Sequence, residues 1–431
     1  MSPTSVLDAA SSYAPGSSDV VAGNKRRPWR EGMHGPDKSA AQRTCVSRHR
    51  RHHVAHSSVP PLFSFVRALL DRSRGRLENN SRIPPYSPGS LPAGGEMSFF
   101  FRASRLRPSP QELVRSIKES FVALDTKTGA KALEDVEKYV LSLRQTLSGD
   151  GEVEPNQEQV LQIALEICKE GVLSLFVQNL PSLGWEGRKD LVHCWCILLR
   201  QKVDESYCCV QYIESHVDLL DFLVVCYKNL EVALNCGNML RECIKYPTLA
   251  KYILESSSFE LFFQYVELPN FDIASDALNT FKDLLTKHED AVAEFLSSHY
   301  EQFFGLYTRL FSSTNYVTRR QSVKFLSEFL LEAPNAQIMK RYILEVHYLN
   351  IMIGLLKDSS KNIRICAFHI FKVFVANPNK PRDIIQVLVD NHRELLKLLH
   401  NLPTGKGEDE QLDEERDLII KEIEKLVRLS V

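Results

Sequence analysis

Glycine and proline are scarce over most of this chain. Residues 97–431 hold only 11 glycines and 10 prolines. Hairpin-rich β folds and nucleotide-binding α/β folds need more glycine at their turns and phosphate loops. That shortage excludes both classes for this segment and predicts an all-α body. Long apolar runs are missing too: none reaches the roughly 18 residues of a membrane-spanning helix. Residues 1–30 have no apolar core of the kind a secretory signal needs. Net charge is almost nil, with 53 Lys plus Arg against 54 Asp plus Glu. Such a balance gives no overall attraction to nucleic acid or an anionic membrane. Mean hydropathy is −0.20, that of a soluble protein. Ten cysteines without a secretion signal point to reduced thiols and a cytoplasmic location.

The glycine and proline that do exist are concentrated at the start. Residues 1–96 carry 8 of the 19 glycines, 10 of the 20 prolines, and 14 basic against 7 acidic residues. Stretches such as NNSRIPPYSPGSLPAGGE hold too few apolar residues to form a core, so a disordered basic extension is expected. His49, His52, His53 and His56 lie in a basic run that reads as a solvated tail. A targeting segment and an over-extended gene model starting in truth at Met97 are the other readings. The composition changes abruptly just before Met97, which favours the last.

The body repeats. ASDALNTFKDLL (274–285), RRQSVKFLSEFLL (319–331) and ICAFHIFKVFV (365–375) align on Ala277, Ser322 and Ala367, spaced by 45 residues. Large apolar residues follow at +1, +4, +7 and +8: Leu278, Phe281, Leu284 and Leu285 in the first copy, with counterparts in the others. That series is one face of an α-helix. A fainter copy is anchored at Gly237 and departs at +4, where Arg241 stands. Helical units of 40–47 residues are the signature of armadillo and HEAT solenoids. The expected fold is therefore an all-α, armadillo/HEAT-like solenoid over 97–431, preceded by the disordered extension. Pro247, Pro269, Pro334 and Pro378 fall between helical stretches, where proline ends a helix without breaking one. Apolar positions 419, 420, 423, 426, 427 and 429 suit a terminal capping helix.

Catalytic patterns are absent. No dinucleotide fingerprint, P-loop, kinase H-R-D or nucleophile elbow occurs, and no D-x-[DN]-x-[DN]-G calcium loop. His193, Cys194 and Cys196 with Cys208 and Cys209 imitate a metal set. On a helix, however, Cys194 and Cys196 point about 200° apart, so buried inert thiols are expected and no metal or cofactor. His288, His299 and His369 stand alone. These readings describe a non-enzyme. One polar stripe stands out: Tyr316, Arg320 and Lys324, at i, i+4 and i+8, off the apolar stripe of Ser322, Val323, Leu326 and Leu330. An aromatic with two cations on an outward face suits a protein partner bearing carboxylates.

These same residues carry a resemblance. ALNCGNMLRECI (233–244), FDIASDALNTFKDLLTKHE (271–289), EFLSSHYEQFF (294–304), NYVTRRQS (315–322), AFHIFKVFVANPNK (367–380) and EDEQLDEE (408–415) resemble the mouse-protein-25 family, also called calcium-binding protein 39 or Hym-like proteins. The resemblance spans 97–431, and MSFFFRASR is similar to that family's own start. It implies a non-catalytic scaffold that binds and activates sterile-twenty-type protein kinases in growth and polarity signalling. In animals it also implies a heterotrimer with a STRAD pseudokinase and a tumour-suppressor kinase. The activation it implies is a population shift towards the kinase's active conformer.

Carried over residue by residue, the family's kinase-gripping tyrosine, arginine and lysine fall on Tyr316, Arg320 and Lys324. Its C-terminal pocket for a Trp-Glu-Phe tail falls on Asn350, Ile353, Asp390 and Glu394. Two lysines of that pocket are replaced by Asp390 and Glu394, which would repel a peptide glutamate; Arg393 is a substitute cation, and a tail of different charge is the alternative. Residues that touch the tumour-suppressor kinase fall on Ala333 and Ala336, so that surface is gone. The expected partner is a sterile-twenty-type kinase or pseudokinase. The rival expectation is an adaptor that kept the fold and binds a different peptide or protein.

Overall fold

The structure is a computed structural model that describes residues 109–126, 130–149, 154–402 and 410–430. The expected extension over 1–96, with its histidine run, lies outside the described residues. Twenty α-helices are present among those described, with short 3-10 turns and one two-stranded hairpin.

The helices fall into threes after an opening pair. That pair is α1 (Pro110–Thr126) and α2 (Ala130–Ser148). The first triplet is α3 (Gln157–Glu170), α4 (Val172–Asn179) and α5 (Trp185–Leu198). The second is α6 (Cys208–Glu214), α7 (Asp218–Val225) and α8 (Ala233–Cys243). Next come α9 (Pro247–Glu255), α10 (Phe262–Tyr265) and α11 (Phe271–Thr286), followed by α12 (Glu289–Ser298), α13 (Tyr300–Tyr307) and α14 (Tyr316–Phe329). The last two triplets are α15 (Ala336–Tyr342), α16 (Val346–Leu355) and α17 (Lys361–Ala376), then α18 (Arg382–Asp390), α19 (His392–His400) and α20 (Glu410–Ser430). After the first triplet, two shorter helices and a longer third one make each repeat of an armadillo-type solenoid, as the 45-residue spacing predicts.

The third helices carry the core pattern. α2 packs on α5, α5 on α8 and α8 on α11, while α14 packs on α17 and α17 on α20. Every residue of the 0, +1, +4, +7, +8 series in α11, α14 and α17 is buried, from Ala277 and Phe281 to Phe374 and Val375. Each large apolar side chain so buried is worth roughly 1.5–3 kcal/mol, so the repeating face contributes strongly to stacking. The small anchors let adjacent third helices approach.

A second feature recurs at 45 residues. Asn270, Asn315 and Ser360 are the N-caps of α11, α14 and α17, each accepting a hydrogen bond from a backbone N–H of the first turn. Capping satisfies a donor that the helix itself leaves unpaired, and it fixes where each third helix begins. The prolines punctuate as expected. Pro247 opens α9, Pro334 sits in a 3-10 turn before α15, and Pro378 follows α17.

The fainter copy at Gly237 has a physical explanation. A Cβ there would collide with the Asp276 carboxylate and the Tyr227 hydroxyl. Glycine leaves room for a polar cluster between α8 and α11. Arg241 pairs with Asp276 Oδ1 at 2.7 Å and donates to Thr280 Oγ1 at 2.8 Å. Tyr227 donates to Asp276 Oδ2 at 2.9 Å. Arg241 thus takes the place of an apolar +4 residue because its charge is answered from the next repeat.

The capping helix is longer than the apolar pattern predicts. It begins at Glu410 and takes in much of the acidic stretch over 406–417. Ile419, Ile420 and Ile423 are buried, but Leu429 is 75% exposed and does not contribute to the cap. Lys372 of α17 and Glu415 of α20, both buried, pair at 2.6 Å and tie the cap down.

Candidate interaction surface on the third helices

Tyr316 is the first residue of α14, placed there by the Asn315 cap. Its ring is 43% exposed, and its hydroxyl lies 3.1 Å from Ser360 Oγ, the cap of α17. Hydrogen bonds from Ser360 and Asn362, with the nearby Arg320 charge, hold the phenol below its usual pKa. The neighbouring arginines divide the work. Arg319 is turned into the structure, pairing with Asp358 at 3.5 Å and donating to the Ser313 carbonyl at 2.9 Å. Arg320, half-buried, has no ion-pair partner among the described residues. Lys324, exposed, lies 3.7 Å from Glu328 on its own helix. An exposed ring and a cation free of carboxylates therefore sit one helical turn apart, beside α17. A partner carboxylate would meet a charge that no internal pair competes for.

The structure adds aromatics that the sequence reading did not single out. Trp185, 64% exposed, and Phe271, 61% exposed, are the first residues of α5 and α11, the position Tyr316 takes in α14. Three third helices thus present an exposed aromatic at the same end. The available signal was the residue after the cap, Phe271 after Asn270 and Tyr316 after Asn315. An open cleft of about 560 Å³ lies on the same layer, lined by His193 of α5, Asn235, Asn238 and Arg241 of α8, and Asp283 of α11.

The second candidate site is less open than the resemblance implies. Asn350, Asp390 and Glu394 are exposed, but Ile353 is only 6% exposed and belongs to the core. Glu394 pairs with Lys357, four residues beyond Ile353, at 2.9 Å, and Asp390 accepts from Gln386 at 2.8 Å. The two acids are therefore answered locally, and Lys357 returns a cation to this edge. Arg393 and Ala333 are exposed, and Ala336 is half-buried.

Of the cysteines, Cys194 is fully buried, and burial pushes its thiol far up in pKa. His193 instead lies 2.7 Å from Ser148 Oγ. Cys208 and Cys209 do converge, though not with Cys194 or Cys196. They meet Cys168, a residue the sequence reading left aside, because α3 packs on α6. No helix among the described residues is long and apolar enough to cross a membrane.

Stacked three-helix repeats, three of whose third helices open on an exposed aromatic, define an armadillo-like helical-repeat protein. The chain belongs to the Mo25-like family, whose model matches residues 99–427. A calcium-binding protein 39-like protein of Mus musculus is 41% identical over 330 residues, covering 76% of this chain and 98% of that protein. A Mo25-like protein of Schizosaccharomyces pombe is 40% identical over 332 residues, 77% of this chain and 100% of its own length. A degreening-related protein of Auxenochlorella protothecoides is 42% identical over 312 residues, covering 72% and 97% of the two chains. Among solved structures, a computationally designed armadillo repeat protein is 13% identical over 62% of this chain and 100% of its own, with a TM-score of 0.38.

Proposed function

We propose that this chain is a cytoplasmic, non-catalytic scaffold that binds a sterile-twenty-type serine/threonine protein kinase, or a related pseudokinase, and activates it allosterically. The observation that carries this reading is the pairing of exposed Tyr316 with an Arg320 that has no carboxylate partner among the described residues. Family membership and the retained stripe point the same way. Arginine and tyrosine are the residues most often found to dominate binding energy at protein interfaces. The mechanism is selection: the scaffold binds the kinase's active conformer more tightly and so enriches it. A tenfold preference between conformers corresponds to about 1.4 kcal/mol, within reach of one such anchor.

Binding of a purified sterile-twenty kinase domain to residues 97–431 tests the reading. Affinity should fall with salt and fall further in Arg320→Ala. Absence of binding at any salt concentration would defeat it.

A second reading, an adaptor with a changed partner, draws on Asp390, which is exposed and, among the described residues, answered by a neutral glutamine. Under it, a basic peptide binds at the α18–α19 edge, and Asp390→Ala abolishes that binding while leaving kinase activity untouched.

A further inference from the structure

Three thiols converge where the first helices of two successive repeats pack. Cys168 lies in the last turn of α3, and Cys208 and Cys209 open α6. Their sulfurs all lie within 4.8 Å of one another, with Cys168 and Cys209 at 3.5 Å. No histidine or carboxylate joins them among the described residues. Cys209 is fully buried, Cys208 nearly so, and Cys168 reaches the surface, so the group is enclosed on one side and open on the other.

Local structure holds each sulfur in place. Gly171, in the left-handed region at φ 71°, ends α3 and donates to the Cys168 carbonyl at 3.2 Å. Strands Lys202–Val203 and Ser206–Tyr207 pair as an antiparallel hairpin and deliver the chain directly into Cys208. The Cys208 N–H donates to the Gln201 carbonyl at the base of that hairpin at 3.3 Å. A site carried on fixed elements needs little rearrangement to bind.

We propose that Cys168, Cys208 and Cys209 form a binding site for a soft, thiophilic metal ion, with monovalent copper as the ion these sulfurs satisfy unaided. Soft thiolate ligands select Cu(I), zinc and iron–sulfur clusters. Zinc prefers four ligands and would need one from outside the chain, whereas Cu(I) is stable with three sulfurs. Metal–sulfur bonds of about 2.3 Å would set three sulfurs about 4 Å apart in a planar trigonal site. Cys168 and Cys209 sit slightly closer than that at 3.5 Å, and no pair is further apart than 4.8 Å, so closure requires shifts of about 1 Å or less. Binding displaces the thiol protons to solvent. By clamping α3 to α6, the ion would stiffen the N-terminal repeats, away from the Tyr316 stripe.

The test is an anaerobic titration of the reduced full chain with Cu(I) in competition with a chromophoric cuprous chelator. Wild type should withhold one equivalent. Cys168→Ser with Cys208→Ser should withhold it at least tenfold less tightly, with helical circular dichroism unchanged. Cys366→Ser, outside the cluster, should keep it. X-ray absorption of the loaded wild type should count three sulfurs and no nitrogen or oxygen, a readout that does not depend on the variants folding. The proposal is overturned if wild type withholds no copper, if the double variant withholds it equally, if the absorption spectrum counts other ligands, or if zinc is retained in preference to copper.

Discussion

The Tyr316 hydroxyl lies 3.1 Å from Ser360 Oγ, joining two side chains 44 residues apart. Tyr316 opens one third helix and Ser360 caps the next, so the contact ties the candidate interaction surface to the stacking of the repeats. The ring is fixed by the fold yet remains exposed, and Arg320 lies one turn further along the same helix.

Truncating that stripe should separate binding from folding. Tyr316→Ala combined with Arg320→Ala should weaken kinase binding by about 30-fold or more, the scale of an interface hot spot near 2 kcal/mol. Tyr316→Phe, which keeps the ring and loses the bond to Ser360, should cost much less. Isothermal titration with a kinase domain, alongside circular dichroism, measures both. A double variant that binds like wild type would remove the stripe from the account.

Gly237→Ala should destabilise the protein by about 2 kcal/mol, the usual scale of overpacking. The added methyl meets the Asp276 carboxylate and the Tyr227 hydroxyl between α8 and α11. Urea unfolding measures this, and an unchanged midpoint would mean the polar cluster yields freely.

These two positions also show what the sequence made legible. The 45-residue apolar spacing identified the solenoid and the buried face of α11, α14 and α17, because that face packs against copies of itself. It did not reveal Asn270, Asn315 and Ser360 as repeating caps, since three polar residues between helices look like any loop. Arg241 read as a break in the pattern because its partners, Asp276 and Thr280, sit on the next repeat. The stripe of Tyr316, Arg320 and Lys324 was legible from helical spacing. That Arg319 is engaged while Arg320 has no ion-pair partner among the described residues was not, because this depends on Asp358 across the repeat boundary. Cys168 escaped notice for the same reason: it meets Cys208 and Cys209 only through the packing of α3 on α6.

The buried pair of Lys372 and Glu415 should respond asymmetrically. Glu415→Gln leaves the Lys372 ammonium buried without a counter-charge and should cost about 3–5 kcal/mol. Adding Lys372→Met should recover most of that loss, because the desolvation cost goes with the charge. Denaturant midpoints of the two variants check this. Equal losses in both would show that the pair acts through packing rather than charge.

Glu242 makes stability acid-sensitive. Burial pushes its carboxyl up, but Arg200 at 2.9 Å and Lys245 at 2.6 Å more than offset this and hold it below the ordinary 4.5. Its contribution is therefore full above about pH 4.5, the unfolded value, and disappears as pH falls through the lower folded value. Glu242→Gln should lower the melting temperature at pH 7, and the gap to wild type should close on acidification. A gap independent of pH would show that the carboxylate's charge is not what stabilises the α5–α8 contact.

The most direct measurement is the activity of a sterile-twenty kinase from the same organism, assayed with and without residues 97–431. The account predicts stimulation well above the kinase alone, lost with Arg320→Ala and kept with Asp390→Ala. No stimulation, or equal stimulation by the Arg320 variant, would contradict it.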